Sequence, residues 1–467
     1  MHPRRLRPRV PRPAILPAAD PRAAPGSPVR RALREVPRTL RLAVPIVIGL
    51  SASTLIGVVD TIMIAPLGTA AMGAVSIALA VLVILYSALY GLASAIGVAM
   101  AGAVGAGRPR VVAAELRSGA VLALGAGAVS GAGMAAAFPL LAHLGQPDEV
   151  LAVLRPYWTI MAAMPVPFTV FYVVKGLYDA VGRPWTGAGF AFVGVAVNVP
   201  LNWVLIHGIG GWPGLGLAGA GVASVLSQCA ALAAAWAHWR HAPSMAAWRR
   251  AAPPRLRIMR VQLRIGAPVA LAYAGEGGSW SLAGLMMGWF GTAALAASQI
   301  VNAVATVVYM LPLGMAAAVG LRVGEEIGAG RARRVRAIGM GAIAAVTGWM
   351  LASTALIVVL RGPIARALSD DAQVVTLAGA IFLSVAAMQV ADGVQSTAMG
   401  ALRGMSDTAV PSAITLLAYW PIALPAAWAA GFALGLGPPG IWIGYGAGLA
   451  LAAAALLARF LALSRAQ

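Results

Sequence analysis

Charge is scarce in this chain, and so is cysteine. Only 10% of its 467 residues are charged, where a dissolved globular protein carries about a quarter; a soluble fold is excluded. The single cysteine, Cys229, rules out an intrachain disulfide and a multi-cysteine metal site. Of five histidines only His238 and His241 lie close together, so the clustered His, Ser or ligand motifs of a membrane enzyme are missing and no enzymatic activity or bound cofactor is expected. Residues 1–40 contain no apolar core of the kind a secretory signal needs.

Apolar residues dominate instead, at 60% of the chain with a mean hydropathy of +0.84. Apolar runs of about eighteen residues or more, each long enough to cross a bilayer, recur throughout. The 55 Gly and 31 Pro fall within these runs. Bundled membrane helices tolerate them, because neighbours satisfy freed backbone groups and small residues permit close packing. The pattern predicts an all-α integral membrane protein with twelve transmembrane helices, at 42–66, 71–103, 116–142, 153–180, 186–208, 214–238, 264–289, 294–327, 336–360, 373–401, 409–433 and 437–463. The expected organisation is a disordered basic tail over 1–40, a first lobe over 41–240, a basic linker over 241–263 and a second lobe over 264–467.

The net charge of +20 invites a nucleic-acid reading, but the positions of the charges argue against it. Of 33 arginines, 11 precede residue 42, seven lie between Arg240 and Arg264, and five between Arg322 and Arg336. They sit between apolar runs, as cytoplasmic loops do under the positive-inside rule. The opposite loops and helix ends carry only Arg155, Arg361 and Arg366, beside Asp148, Glu149, Asp370 and Asp371. Both termini are therefore expected in the cytoplasm, in a bacterial inner membrane, with lipid rather than nucleic acid as the surroundings.

An internal repeat organises the chain. GTAAMGAVSI at 68–77 matches GTAALAASQI at 291–300, and GAGRPRVV at 105–112 matches GAGRARRV at 328–335. Both pairs are offset by 223 residues. A weaker echo pairs GLYDAVGRP at 176–184 with GALRGMSDT at 400–408. Six spans separate matched positions, so the halves share one membrane orientation and an axis along the membrane normal relates them. A cleft is expected between them.

Three carboxylates fall inside predicted spans, where insertion scales put a charge at about 2.5–3.5 kcal/mol: Asp60, Glu276 and Asp392. Tyr273 and Trp280 share the helical face of Glu276, and Gln389 and Gln395 the side of Asp392. Asn198 and Asn202, four apart, make another polar patch; interhelical hydrogen bonding is its alternative reading. Lys175 and Asp179, also four apart, are expected to pair. Met388, Met399, Met310 and Met315 are candidate cleft residues suited to varied ligands, although methionine is commoner as core filler.

PIVIGLSASTLIGVVDTIMIAPLGTAAMGA, NVPLNWVLIHG with GLAGAGVASVLSQ, LPLGMAAAVGLRVGEEIGAG and DGVQSTAMGALRGMSDTAVP together resemble MATE (multidrug and toxic compound extrusion) exporters of the bacterial NorM-type branch, over about residues 38–463. The resemblance implies two six-helix lobes and export of cationic, amphipathic compounds in exchange for Na⁺ or H⁺, by a chain expected to act as a monomer. By position, Glu276 and Asp392 match its second-lobe cation site, and Asp60, Asn198 and Asn202 its first-lobe polar cavity. Ser224 is a looser match there. Met388 replaces a cation-site tyrosine, and Asn202 stands where some relatives have a second aspartate. A lipid-linked-precursor flippase of the wider superfamily is the alternative; it needs a cationic cleft for phosphates, whereas the charges within these spans are acidic.

Overall fold

The computed structural model describes residues 27–143 and 147–465. Among them twelve long helices follow in order: α1 (Pro28–Ile64), α2 (Thr69–Gly105), α3 (Pro109–Ala142), α4 (Asp148–Ala180), α5 (Pro184–His207), α6 (Leu217–His241), α7 (Leu256–Gly288), α8 (Thr292–Gly328), α9 (Val335–Leu368), α10 (Ala372–Gly404), α11 (Ala409–Ala433) and α12 (Gly437–Leu463). Eleven are long and apolar enough to span a membrane. The remaining one is α7, whose first third carries Arg257, Arg260 and Arg264.

Three boundaries differ from expectation. The tail does not reach residue 40: α1 starts at Pro28, where Ser27 caps it by accepting from the Arg30 amide at 3.3 Å. Its extra turns are held because Ala32, Glu35 and Thr39 share one face and are buried. The rest of the predicted tail, 1–26, lies outside the described residues. The basic linker also shortens, since α7 begins at Leu256 rather than 264. Its arginines, spaced three and four apart, form one exposed helical face that a run-of-apolars criterion discards. Finally, α4 is interrupted between Met161 and Pro165. Pro165 lacks an amide and Pro167 follows, while Gly131 and Gly127 of α3 leave room for the Ala162 and Pro165 carbonyls of the broken turn.

The repeat is visible in backbone angles. Gly68 and Gly291, 223 apart, cap α2 and α8 at φ 97° and 103°, and both helices are 37 residues long. Such positive φ values favour glycine. At their far ends the helices meet reciprocally: a methyl group on Gly105 would overlap the Glu325 carbonyl, and one on Gly328 the Gly102 carbonyl. Subtracting 223 from 328 and 325 gives 105 and 102, so these two contacts are one contact related by a pseudo-twofold. Gly91 against Ala270 and Gly314 against Val47 obey the same rule.

Three large apolar cores follow, beside a small cluster of Ala113, Ala114 and Ala252. One draws only on α1–α6, around Leu82, Leu154 and Trp158. Another draws on α7–α12, around Phe382, Tyr419 and Trp442. The third mixes both sets, joining Ile46, Leu92 and Met100 to Val319, Ile338 and Phe460, at the end where α1 begins and α12 finishes. The lobes are thus fused at the terminal end and packed separately at the other, which places a cleft between them.

Candidate functional site

At the terminal end the closure is ionic as well as apolar. Glu35 of α1 accepts from Arg322 of α8 at 2.5 Å and from Arg334 at 2.8 Å; Arg322 also donates to Thr39 at 2.6 Å. Glu326 takes Arg331 and Arg334. Across the pseudo-twofold, Gln262 (the repeat equivalent of Thr39) donates to the Glu115 carboxylate at 2.6 Å.

Towards the other end lies a cavity of about 440 Å³. The first lobe lines it with Ser53, Tyr86, Tyr90, Phe168 and Tyr172, the second with Tyr273, Glu276, Trp280, Tyr309, Met388, Gln389, Asp392, Tyr419 and Tyr445. Both second-lobe carboxylates named from the sequence are therefore in one wall. Tyr309 of α8 donates to Glu276 at 3.4 Å. Around them Ser279 and Tyr445 share a hydrogen bond at 2.9 Å, Tyr445 stacks on Tyr419, and Trp280 packs edge-on to Tyr445. The sequence contains no Lys or Arg between Arg264 and Arg322, so α7 brings no basic side chain of its own to this wall.

The first-lobe group forms a second cluster. Asn202 donates its one Nδ2 to Asp60 at 2.5 Å and to Asn198 at 3.1 Å, and Ser224 donates to the other Asp60 oxygen at 3.0 Å. Both asparagines are wholly buried. Three helices, α1, α5 and α6, thus converge on one carboxylate.

A search for family patterns matches the MatE model twice, over residues 45–204 and 268–429. The two starts are 223 residues apart, the offset of the repeat. The chain belongs to the MatE family. Among its relatives, a Bradyrhizobium diazoefficiens protein named probable multidrug resistance protein NorM is 35% identical over 70% of this chain and 72% of its own length. A Deinococcus radiodurans protein of the same name is 38% identical over 68% and 70%. A crystal structure of MATE in a bent conformation superposes with a TM-score of 0.84, at 19% identity, over 94% of this chain and 98% of that one.

Within this MATE fold some expected residues fall elsewhere. Tyr273, Trp280, Met388, Gln389 and Met310 line the cavity, whereas Gln395, Met315 and Met399 do not. Steps of three residues turn a helix by about 300°, so the stripe drifts by about 60° at each step. By Gln395 it has rotated from the cavity into packing, where its Oε1 is buried without a partner. Gln389 is anchored sideways, accepting from Ser353 at 3.4 Å and Thr354 at 3.3 Å. Lys175 and Asp179 pair at 2.8 Å as expected. The sequence reading missed the tyrosines at 86, 90, 172, 309, 419 and 445. They come from five helices, and only Tyr86 and Tyr90, four apart on α2, share one.

Proposed function

We propose that this MATE protein exports cationic amphipathic compounds, multidrug fashion, in exchange for Na⁺ or H⁺ taken up at Glu276 and Asp392. The observation that carries the reading is the composition of one wall: two carboxylates, lined with tyrosine and tryptophan, in a cavity between the lobes. Carboxylates supply the charge, aromatic faces add cation–π attraction of about 0.5–2 kcal/mol, and methionine and phenylalanine accept variable apolar bodies. The same acids receive the coupling ion. Ion and drug then compete, and a ligand shifts the equilibrium between two states only through its differential affinity for them. A transmembrane potential contributes about 2.3 kcal/mol per charge moved across 100 mV. The relatives named as multidrug resistance proteins support this reading. An acidic wall speaks against a flippase, whose pyrophosphate-bearing substrate it would repel.

The rest of the reading follows. Arginine placement puts both termini and the fused end of the lobes on the cytoplasmic side of a bacterial inner membrane, the protein works as a monomer, and the coupling ion is the only cofactor it needs. The test is efflux of ethidium and of a fluoroquinolone from a pump-deficient bacterium, with Na⁺ and pH varied independently. Export that follows one of the two gradients is expected. Accumulation unchanged from the empty-vector strain at every Na⁺ and pH overturns the proposal.

A further inference from the structure

Below the cavity, separated from it by the shared side chains of Tyr90 and Tyr172, lies a second chamber of about 40 Å³. Its wall includes Ser94, Lys175, Asp179 and Arg403. Burying a charge costs several kcal/mol unless it is paired, and most buried ions here are paired: Arg322 with Glu35, Lys175 with Asp179. Arg403 is different. It is 2% exposed, and among the described residues it forms no ion pair. One terminal nitrogen donates to the Tyr273 hydroxyl at 3.1 Å and the other to the Ala316 carbonyl at 3.2 Å, while Nε has no partner. Asp179 is 8% exposed and half-satisfied as well: Oδ2 takes Lys175 and Oδ1 has no partner.

The repeat connects these two. Aligning GLYDAVGRP with GALRGMSDT sets Asp179 opposite Arg403, at an offset of 224. Their neighbours are equivalent too: Gly176 lies against Gly97, and Gly400, 224 residues further on, against Gly320, 223 further on. Opposite charges thus occupy equivalent places in the two lobes, beside the pseudo-twofold axis, facing one chamber. We infer that Asp179 and Arg403 are the two halves of a cross-lobe ion pair that forms in an occluded state of the transport cycle, when the lobes close further around this chamber, and that breaks when the terminal end opens. Asp179 Oδ1 then accepts from Arg403 Nε, filling the two vacant positions. The pair is a contact made in one state and not in the other, which is what biasing a two-state equilibrium requires. Both are positioning residues: neither lines the large cavity.

The inference rests on the transporter reading, and its test separates the two. The variants are Asp179→Arg, Arg403→Asp, the double swap, and the neutral set Asp179→Asn, Arg403→Gln and their double. Each is assayed for export, and in parallel for the distance between spin labels at the exposed positions 110 and 333 in a Cys229→Ser background, without substrate. Each charge reversal should lower export about tenfold or more and remove one of two distance populations; the swap should recover both readouts to within about threefold of wild type. Because Asp179→Arg also strips Lys175 of its partner, the swap is made in a Lys175→Met background as well; a correctly inserted swap no better than the worse single variant in both backgrounds overturns the pair. If the reversals do not insert, the neutral set decides: a double no worse than either single supports the pair, and additive losses overturn it. A wild type that shows two distance populations but exports no cation overturns only the substrate reading.

Discussion

At the residue scale, the acids divide into two clusters with different company. Asp60 is held by two hydrogen-bond donors, Asn202 and Ser224, in its own lobe, while Asn198 accepts from Asn202. Glu276 has one long hydrogen bond from Tyr309, and with Asp392 it faces the cavity. The second pair is thus the less satisfied by protein and the better placed to take an ion from solution. Asp392→Asn, which keeps size and removes charge, should abolish ion-driven efflux with normal membrane insertion, and Glu276→Gln should do the same. Vesicle uptake of a fluorescent cation under an imposed Na⁺ or pH gradient measures it; wild-type rates in both variants and in the double would end the cation-site assignment. Asp60→Asn should lower export about tenfold, a transition costing about 1.4 kcal/mol, at unchanged protein amount by immunoblot. These acids were legible in sequence because a charge in an apolar run stands out. The tyrosines around them were not, since an aromatic residue in a membrane helix is unremarkable until its neighbours are known.

At the element scale, glycine decides how closely helices approach. Gly440, Gly444 and Gly448 recur every fourth residue on α12, where any side chain would run into Ala430, Ala426 and Ala418 of α11. Small residues four apart let membrane helices pack backbone to backbone. There α11 adopts two π turns, Tyr419–Ala423 and Ala429–Ala433, and the first carries Tyr419 into the cavity wall. Gly444→Leu should lower stability by about 1–3 kcal/mol or more through overpacking, read as a drop in the thermal midpoint of tryptophan fluorescence in detergent. An unchanged midpoint would mean that α11 and α12 are not tightly packed. The Glu35 latch belongs to this scale also. Removing one partner of a buried ion pair costs about 3–5 kcal/mol, so Glu35→Gln should weaken the terminal-end contact between α1 and α8. The check is accelerated proteolysis or cysteine labelling near Arg322, which in the wild type is 5% exposed.

At the scale of the whole molecule, the arginine bias predicts an orientation that labelling can test. In a Cys229→Ala background, Arg250→Cys should resist an impermeant thiol reagent in intact spheroplasts and react in inverted vesicles, whereas Asp370→Cys should behave oppositely; both positions are exposed. Labelling of position 250 from outside would reverse the assignment. The sequence by itself determined the twelve helices, though not where α1 and α7 begin, and the two-fold repeat, because bilayer thickness demands long apolar runs and duplication leaves one offset. It also marked Asp60, Glu276 and Asp392, since each is expensive where it stands. Only the tertiary structure decided which of these meet. Asp60, Asn202 and Ser224 lie 142 and 164 residues apart along the chain, and nothing local dictates that α1, α5 and α6 converge. The same holds for the chamber shared by Asp179 and Arg403, and for Gln395 turning away. Helical periodicity fixes a side chain's angle about its own axis, but contact depends on how twelve axes tilt and cross, and that is settled by packing among all of them at once.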